Sequence, residues 1–256
     1  MDLNITGKRA LVLGASRGLG MAIAKSLAAE GVTVFAAARS KDKIEAWSAD
    51  VSGVTPVALD LSEIAQVDAL VDTLLEDGGV DIVVNNGGGP PPGTAQDAGR
   101  SDWIMHFESM AANIFHLNTR LLPAMKERGW GRIISVTSSG VEHPIPNLAL
   151  SNGIRSALIG WSKTLANEVA GDGITVNVVL PGRIHTQRVD ELDAAAAKRT
   201  DKDVAEVAAA SRATIPAGRY GKPEEFADVV TFLASDRAAY VTGSKIRIDG
   251  GSIKSI

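Results

Sequence analysis

A glycine-rich stretch near the start of the chain reads Leu13-Gly14-Ala15-Ser16-Arg17-Gly18-Leu19-Gly20. It follows a short apolar run at residues 9–13 and precedes a stretch of helical spacing at residues 20–30. Glycines allow a tight turn and close backbone approach, and a helix that begins there offers free N–H groups to an anion. A strand, a glycine turn and a helix in this order predict a phosphate-binding turn.

Short apolar runs alternate with stretches of helical spacing along the whole chain. Seven runs are candidate strands, at residues 9–13, 32–37, 54–59, 80–84, 132–137, 174–180 and 245–248. Five stretches are candidate helices, at residues 20–30, 66–76, 113–128, 154–170 and 223–235. This alternation predicts an α/β fold in which a Rossmann-type, doubly wound parallel sheet is flanked by helices on both faces. We expect a single domain that spans residues 1–256.

Composition excludes several classes of function. The chain has 256 residues, of which 45% are hydrophobic and 22% charged, and these values are typical of a soluble globular protein. A formal net charge of −4 provides no large positive field for nucleic acid, so we expect no such partner. The absence of a membrane-length apolar run and of a signal-peptide pattern favours a cytoplasmic location. Cysteine is absent, which excludes disulfides and thiol nucleophiles.

Two segments interrupt the alternation of strands and helices. Residues 87–99 read GGGPPPGTAQDAG, and their prolines and glycines prevent a helix or a central strand. Residues 183–220 are rich in alanine and charge and predict an exposed pair of helices. Both segments follow candidate strands, and ligands of open parallel sheets lie beyond the carboxyl ends of strands. We therefore expect these segments to form the wall and the lid of a substrate pocket.

The order of short motifs along the chain resembles the short-chain dehydrogenase/reductase family, and in particular 3-oxoacyl-acyl-carrier-protein reductases. The glycines have the spacing GxxxGxG, and Asp60-Leu61, Asn85-Asn86-Gly87-Gly88 and Pro181-Gly182 follow in the order of that family. Residues 218–251, GRYGKPEEFADVVTFLASDRAAYVTGSKIRIDGG, resemble its C-terminal signature almost residue for residue. The resemblance covers essentially the whole chain.

The resemblance implies a dinucleotide site and a set of residues that contact it. The glycine turn binds the pyrophosphate, Asp60-Leu61 contact the adenine, and the segment after Pro181 holds the nicotinamide carboxamide. The implied cofactor-binding residues are Gly14, Ser16, Arg17, Gly18, Leu19, Gly20, Arg39, Asp60, Leu61, Asn86, Gly88, Arg155, Pro181, Gly182, Ile184 and Thr186.

Charge at the end of the second candidate strand indicates which dinucleotide is bound. NAD-specific sites usually place an acidic residue there, and its carboxylate would repel a 2′-phosphate. Here that position is Ala38, and Arg39 follows it. Arg17 lies in the glycine turn, so two guanidinium groups are available to clamp a 2′-phosphate, although both arginines are also typical of solvated surface charges. We therefore expect NADP(H) as the cofactor.

The catalytic positions depart from the family pattern of Asn, Ser and Tyr-x-x-x-Lys. The Ser position falls on Ser138, but the Tyr, Lys and Asn positions fall on Ser151, Arg155 and Ala111. A serine hydroxyl is far less acidic than a phenol, so Ser151 does not simply inherit the role of Tyr. Arg155 keeps a positive charge one helical turn from Ser151, but unlike Lys it does not relay protons. Asn113 lies close to Ala111 in sequence, and Asn118 follows in the same helix.

Three histidines are candidates for a substitute acid or base. His143 follows Ser138 in the loop after the fifth candidate strand, and its imidazole titrates in the useful range. Glu142 beside it is a candidate to tune that titration. His185 is the second candidate, whereas His116 lies mid-helix and we expect it to be packed. A hydrogen-bonded or surface role without chemistry is equally consistent with each of these histidines.

No spacing of residues indicates a metal site. The histidines are scattered, and Asp190, Glu191 and Asp193 lie in a charged helical stretch where we expect them to face solvent.

Two functions remain open at this point. The first is an NADP(H)-dependent oxidoreductase that interconverts a carbonyl and an alcohol by hydride transfer, with Ser138, Ser151, Arg155 and His143 as catalytic residues. The second is a dinucleotide-binding protein without dehydrogenase activity, in a sensing or structural role. Acyl thioesters, sugars, steroids and small ketones all remain possible substrates. The resemblance implies a homotetramer or dimer built partly through the long helices around Asn113 and Ile154.

Overall fold

A computed structural model describes all residues, 1–256, and contains one seven-stranded parallel sheet. The strands lie in the order β3-β2-β1-β4-β5-β6-β7. Their bounds are β1 Arg9–Leu13, β2 Thr33–Ala38, β3 Val54–Ala58, β4 Ile82–Asn85, β5 Gly131–Val136, β6 Ile174–Pro181 and β7 Lys245–Ile248. Each predicted strand is present, with ends that shift by no more than two residues.

Nine α-helices connect and cover the strands. Their bounds are α1 Gly18–Ala29, α2 Lys41–Ser48, α3 Ile64–Glu76, α4 Arg100–Phe107, α5 Asn113–Arg128, α6 Ala149–Val169, α7 Gln187–Thr200, α8 Val204–Ala213 and α9 Pro223–Leu233. A π-helical turn, Glu108–Ala112, joins α4 to α5. No helix combines the length and the apolar character needed to cross a membrane.

Apolar side chains cover both faces of the sheet. On one face Ile23 of α1 and Phe226 of α9 are fully buried against β1, β2 and β4. On the other face Val71 of α3 and Leu117 of α5 pack with side chains that point the opposite way from the same strands. Burial on both faces explains the continuous apolar sequence of the central strands and confirms the predicted doubly wound architecture.

Tertiary contacts stabilise one helix, α2, and the first turn of another, α6, that the sequence did not predict. Short α2 is anchored by the fully buried Ile44 and by Trp47, whose Nε1 donates to the carbonyl of Ala15 at 3.0 Å. Helix α6 begins at Ala149, five residues before the predicted start, because the buried Leu150 packs there despite nearby weak helix formers. Both α2 and the early start of α6 therefore coincide with buried apolar side chains.

The carboxyl ends of the parallel strands meet at one edge of the sheet. The glycine turn follows β1, residues 87–99 follow β4, and residues 183–220 follow β6. Residues 87–99 form no helix or strand beyond one bridge between Gly93 and Leu148, and residues 183–220 contain the predicted helix pair, α7 and α8. This edge, where the strand order reverses between β1 and β4, is where open α/β sheets bind ligands.

Replacement of Phe226 by Ala is expected to reduce the free energy of unfolding by about 3–5 kcal/mol, because it leaves a cavity where α9 meets the sheet. Urea unfolding at a fixed protein concentration measures this loss. Phe232→Ala on the same helix is the control, because that side chain is 36% exposed and should cost far less. Equal losses in the two variants would contradict this account of the core.

Candidate active site and cofactor site

Close contact between Gly14, Gly20 and Asn86 shapes the glycine turn. A Cβ on Gly14 would lie 2.2 Å from the carbonyl oxygen of Asn86, and a Cβ on Gly20 would lie 2.3 Å from the carbonyl oxygen of Gly14. Only glycine fits at either position. The side-chain amide of Asn86 donates to the carbonyls of Leu13 and Gly14, at 3.2 and 3.3 Å, and so joins the end of β1 to the end of β4.

The same turn leaves a row of backbone donors available. Gly18 adopts a left-handed conformation with φ +58° at the start of α1, and the N–H groups of residues 16–20 have no hydrogen-bond acceptor in the protein. Unpaired N–H groups at a helix N-terminus carry partial positive charge. The turn can therefore bind an anionic group such as a pyrophosphate.

The segment after β6 reaches this turn from the other side. The N–H of Gly182 donates to the carbonyl of Ile248 at 3.0 Å, and a Cβ on Gly182 would lie 2.6 Å from the Cα of Asp249. Ile184 is buried, and the methyl group of Thr186 lies 3.5 Å from the position of a Cβ on Gly18. The fold thus brings together residues 14–20 and 181–186, which the sequence placed in one cofactor site.

The ends of β2 and β3 bring Arg39 and Asp60 together. Asp60 accepts hydrogen bonds from the backbone and hydroxyl of Ser62, at 3.0 and 2.8 Å. These bonds and the nearby charge of Arg39 hold the pKa of Asp60 below its ordinary value. Leu61 is fixed through its carbonyl, which accepts from the amide of Asn113 at 2.8 Å. The side chain of Arg39 is exposed and makes no ion pair.

Arg17 has a protein partner that the sequence reading did not identify. Its guanidinium lies 3.0 Å from Glu191 of α7, so an ion pair joins the glycine turn to the lid segment. The two residues are 174 positions apart, and no local pattern in the sequence indicates their contact.

Arg155 lies among the residues that follow β4 and β5. Its guanidinium donates to the carbonyl of Val136 at 3.1 Å, to the carbonyl of Gly88 at 3.3 Å and to the hydroxyl of Ser151 at 3.3 Å. Burial lowers its pKa to about 10, and the group remains charged at neutral pH. A fixed positive charge therefore lies beside Ser151.

Ser138 follows β5, two residues after Val136, whose carbonyl accepts from Arg155. The hydroxyl of Ser138 accepts from the N–H of Gly140 at 3.0 Å, which starts a short 3₁₀ turn, Ser139–Val141. Asn152 holds the same loop against α6, because its amide donates to the carbonyl of Ile145 at 2.9 Å. Ser138 and Ser151 make no direct hydrogen bond to each other, and both remain partly exposed.

The amides near Ala111 are engaged elsewhere. Ala111 is fully buried within the π-helical turn, and the amide of Asn113 is used to bind Leu61. Asn118 is buried, and its amide donates to the side-chain oxygen of Asn85, the last residue of β4, at 2.9 Å. The amides of Asn113 and Asn118 are thus both engaged with other residues of the protein.

His143 is exposed, and its imidazole makes no hydrogen bond within the protein. The idea that Glu142 tunes His143 is wrong. Glu142 turns instead toward β7, where its carboxylate lies 2.7 Å from Lys245 and also binds Arg247. These contacts hold the pKa of Glu142 below its ordinary value, with the hydrogen bond from Lys245 as the main cause.

Two further sequence expectations are corrected. His116 is not packed but exposed, and it lies 2.7 Å from Asp68 of α3. Asp193 does not face solvent. It is 3% exposed and binds Arg183 at 2.8 Å and the hydroxyl of Tyr220 at 2.6 Å, and these contacts fasten α7 to the segment that precedes α9. Polar partners that are distant in sequence caused both errors.

His185 and a cavity lie within residues 183–220. His185 is exposed and lies 3.2 Å from Asp190, so its partner is a neighbouring lid residue rather than Ser138 or Ser151. A pocket of about 330 Å³, open to solvent on one side, lies between α7, α8 and the residues before α9, with Tyr220 and Arg212 in its wall. No group of acidic or histidine side chains is arranged to hold a metal ion.

Comparison with known proteins agrees with this geometry. Residues 14–252 match the family model described as enoyl-(acyl carrier protein) reductase. The 3-oxoacyl-[acyl-carrier-protein] reductase FabG of Escherichia coli is 38% identical over 254 residues, which cover 97% of this chain and 98% of that protein. L-Sorbose reductase from Gluconobacter frateurii, solved with NADPH and L-sorbose, has a TM-score of 0.94 and 33% identity, with 100% of both chains covered. YwfH, described as an NADPH-dependent reductase involved in bacilysin biosynthesis, has a TM-score of 0.92 and 30% identity over 97% of this chain and 99% of its own.

The parallel sheet, its glycine turn and the residues at its carboxyl edge define a Rossmann-type dinucleotide-binding protein. With these comparisons, the chain belongs to the short-chain dehydrogenase/reductase family.

Replacement of Glu142 by Gln is expected to lower stability near pH 7 and to leave it unchanged in acid. The pKa of Glu142 is lowered by folding, so its contribution is complete above its ordinary value of 4.5 and is lost as the pH falls through the folded value. Urea midpoints measured between pH 7 and pH 3 should therefore converge for the variant and the parent. Glu168→Gln, at an exposed carboxylate of α6 without an ion pair, is the control; a constant difference at all pH values would contradict the assignment.

Proposed function

We propose that this protein is an NADP(H)-dependent oxidoreductase that interconverts a carbonyl compound and an alcohol, with an atypical set of catalytic residues. The observation that carries the proposal is the glycine turn, whose five successive N–H groups at residues 16–20 have no partner within the protein. Free N–H groups at the start of a helix are typical binding sites for anionic groups such as a pyrophosphate. Relatives named as reductases, two of them described with NADPH, support the same assignment.

The residues present fit a dinucleotide. Side chains are excluded at Gly14 and Gly20, and Asn86 fixes the turn from behind, so a pyrophosphate can approach the backbone. Asp60 and Leu61 would border the adenine, and residues 181–186 would hold the nicotinamide. Bound NADP(H) supplies a hydride in the direction of reduction and accepts one in the direction of oxidation.

The charges around the ribose position favour the phosphorylated form of the dinucleotide. Arg39 follows β2 with an exposed and unpaired guanidinium, and Ala38 leaves no carboxylate at that strand end. Arg17 lies in the adjacent turn. Guanidinium groups bind phosphate oxygens through paired, charge-assisted hydrogen bonds, so these two arginines are proposed to hold the 2′-phosphate.

Ser138, Ser151 and Arg155 are proposed to bind the substrate oxygen. Both hydroxyls are partly exposed, and Arg155 is fixed by two carbonyls so that its charge is already in place when negative charge develops on that oxygen. The guanidinium stays protonated at neutral pH, so it stabilises charge rather than transferring a proton. Water or His143, whose imidazole is exposed and free, is proposed to deliver the proton.

A dinucleotide-binding protein without dehydrogenase activity, with a sensing or structural role, is the second candidate. The observation that favours it is the engagement of Arg155, whose three hydrogen bonds all go to the protein itself, in a site without a phenol. Both functions predict NADPH binding. Only the enzyme requires a small carbonyl or alcohol substrate to bind beside Ser138 as well.

The remaining assignments extend the proposal to the whole chain. We propose one NADP-binding domain at residues 1–256, with residues 183–220 as the substrate lid and a cytoplasmic location. Nucleic acid and membranes are not among the proposed partners. Ile104 and Met105 of α4 are exposed, and Phe115 of α5 stacks on Trp161 of α6. The long helices α5 and α6 are proposed to join copies of the chain in a dimer or tetramer.

Arg39→Ala is expected to weaken NADPH binding roughly 10- to 100-fold, because a hydrogen-bonded charge contributes on the order of 1.5–3 kcal/mol. NADH, which lacks the 2′-phosphate, should lose almost no affinity. Calorimetric titration of both cofactors measures the difference. Lys126→Ala, at the opposite end of the sheet beside Asp172, controls for the loss of one positive charge. An equal loss of affinity for NADPH and NADH in Arg39→Ala would contradict the assignment of Arg39.

Ser138→Ala is expected to lower kcat roughly 10²- to 10³-fold, because it removes one donor to the oxygen where charge develops. The Kd for NADPH should stay unchanged. Loss of NADPH absorbance with a panel of ketones, aldehydes, sugars and acyl thioesters measures turnover, and Ser139→Ala is the neighbouring control.

If the parent protein binds NADPH tightly but oxidises it with no compound of that panel, this result would contradict the oxidoreductase and favour the second candidate. Absence of NADPH and NADP⁺ binding would contradict both.

A further inference from the structure

One ion pair joins the lid helix to the glycine turn. Helix α7 carries three carboxylates in its first two turns, and each has a different partner. Asp190 lies 3.2 Å from His185, Asp193 is buried against Arg183, and Glu191 lies 3.0 Å from Arg17. Glu191 is therefore the one carboxylate of this group that faces the proposed site of the 2′-phosphate.

We propose that Glu191 is a specificity-determining residue that competes with the 2′-phosphate of the cofactor for Arg17. The inference rests on the proposed function, because it takes Arg17 as a ligand of that phosphate. In the structure Nη1 of Arg17 donates to a carboxylate oxygen of Glu191 at 3.0 Å, so the carboxylate holds the guanidinium that the phosphate would bind. Binding of NADPH must therefore replace a carboxylate by a phosphate on Arg17, whereas binding of NADH leaves the pair of Arg17 and Glu191 intact.

The strengths of the two contacts allow this exchange. The side chains of Arg17 and Glu191 are 49% and 40% exposed, and ion pairs at such positions are weak because water screens them. A phosphate monoester carries close to two negative charges and three acceptor oxygens, so it binds a guanidinium more strongly than a carboxylate does. Glu191 therefore lowers the affinity for NADPH without preventing its binding.

A second partner is available to Glu191 after the exchange. Arg188, one turn earlier in α7, lies 3.6 Å from the other oxygen of the same carboxylate. The carboxylate can remain paired within its own helix when Arg17 turns to the phosphate. The contact of Arg17 with Glu191 is the only ion pair between α7 and the glycine turn. Its release by the 2′-phosphate would therefore couple cofactor binding to the mobility of residues 183–220.

Glu191→Gln tests the proposal directly, with Asp190→Asn as the matched control. Both variants remove one exposed carboxylate from the same turn of α7, but only the first removes the partner of Arg17. Calorimetric titration of each variant with NADPH, NADH and adenosine 2′,5′-bisphosphate measures Kd without any turnover. We expect Glu191→Gln to tighten NADPH and the bisphosphate about three- to tenfold and to change NADH less than twofold. Asp190→Asn should change all three ligands less than twofold.

Several outcomes would overturn the inference. Weaker or unchanged NADPH binding by Glu191→Gln would show that Glu191 positions Arg17 or has no influence on it. Equal tightening of NADPH and NADH, or equal effects of the two variants, would indicate a general charge effect. In an Arg17→Gln background the same Glu191→Gln change should give no more than a twofold gain, and a full gain there would exclude competition for Arg17.

The parent titration separates this failure from failure of the proposed function. If the parent protein binds neither NADPH nor NADP⁺, the cofactor assignment itself is wrong. If the parent protein binds NADPH more tightly than NADH and Glu191→Gln leaves that preference unchanged, the cofactor assignment stands and the role of Glu191 is refuted.

Discussion

The close contact of Gly14, Gly20 and Asn86 is the constraint on which the rest of the site depends. No side chain fits between the end of β1 and the end of β4, so the two strand ends approach to backbone distance. The amide of Asn86 then donates to the carbonyls of Leu13 and Gly14, and the N–H groups of residues 16–20 are left without an acceptor in the protein. Because the carbonyls of the turn are paired and its N–H groups are free, this edge of the sheet is suited to bind an anion. It also fixes where the segments after β4, β5 and β6 must lie to reach a bound ligand.

The two halves of the site differ in how they relate to the family pattern. The half around the glycine turn has the glycines of that pattern, whereas under the proposed function three of the four catalytic positions have changed, to Ser151, Arg155 and Ala111. The structure gives Arg155 a rigid place, between the carbonyls of Val136 and Gly88. A permanently charged and immobile group is well suited to stabilise negative charge on a substrate oxygen and poorly suited to move a proton. Under the proposed function, the chemistry of this chain therefore depends more on electrostatic stabilisation and less on a proton relay than the family pattern implies.

Sequence reasoning was strong where a residue acts through its backbone or through a local pattern. The strands and the glycine turn were predicted correctly because alternating burial and the demands of tight turns are local properties. It failed where side chains meet across long separations in the chain. The sequence places Glu142 beside His143 and so suggests that they interact. The carboxylate of Glu142 instead binds Lys245 and Arg247, more than 100 residues away. Asp193 was read as a solvated charge but is buried by contacts with Arg183 and Tyr220.

The sequence by itself determined the doubly wound sheet and the position of the glycine turn, and it is the source of the proposal that Ser151 and Arg155 stand where the family pattern has a phenol and an amine. Each of these follows from residue identity together with near neighbours, because periodicity, backbone freedom and side-chain acidity are carried by the residues themselves. Only the tertiary structure decided the partners of the charged side chains, including the contact of Glu191 with Arg17. An ion pair depends on where two flexible side chains end in space. That position is set by the packing of entire helices on the sheet, which no short stretch of sequence contains.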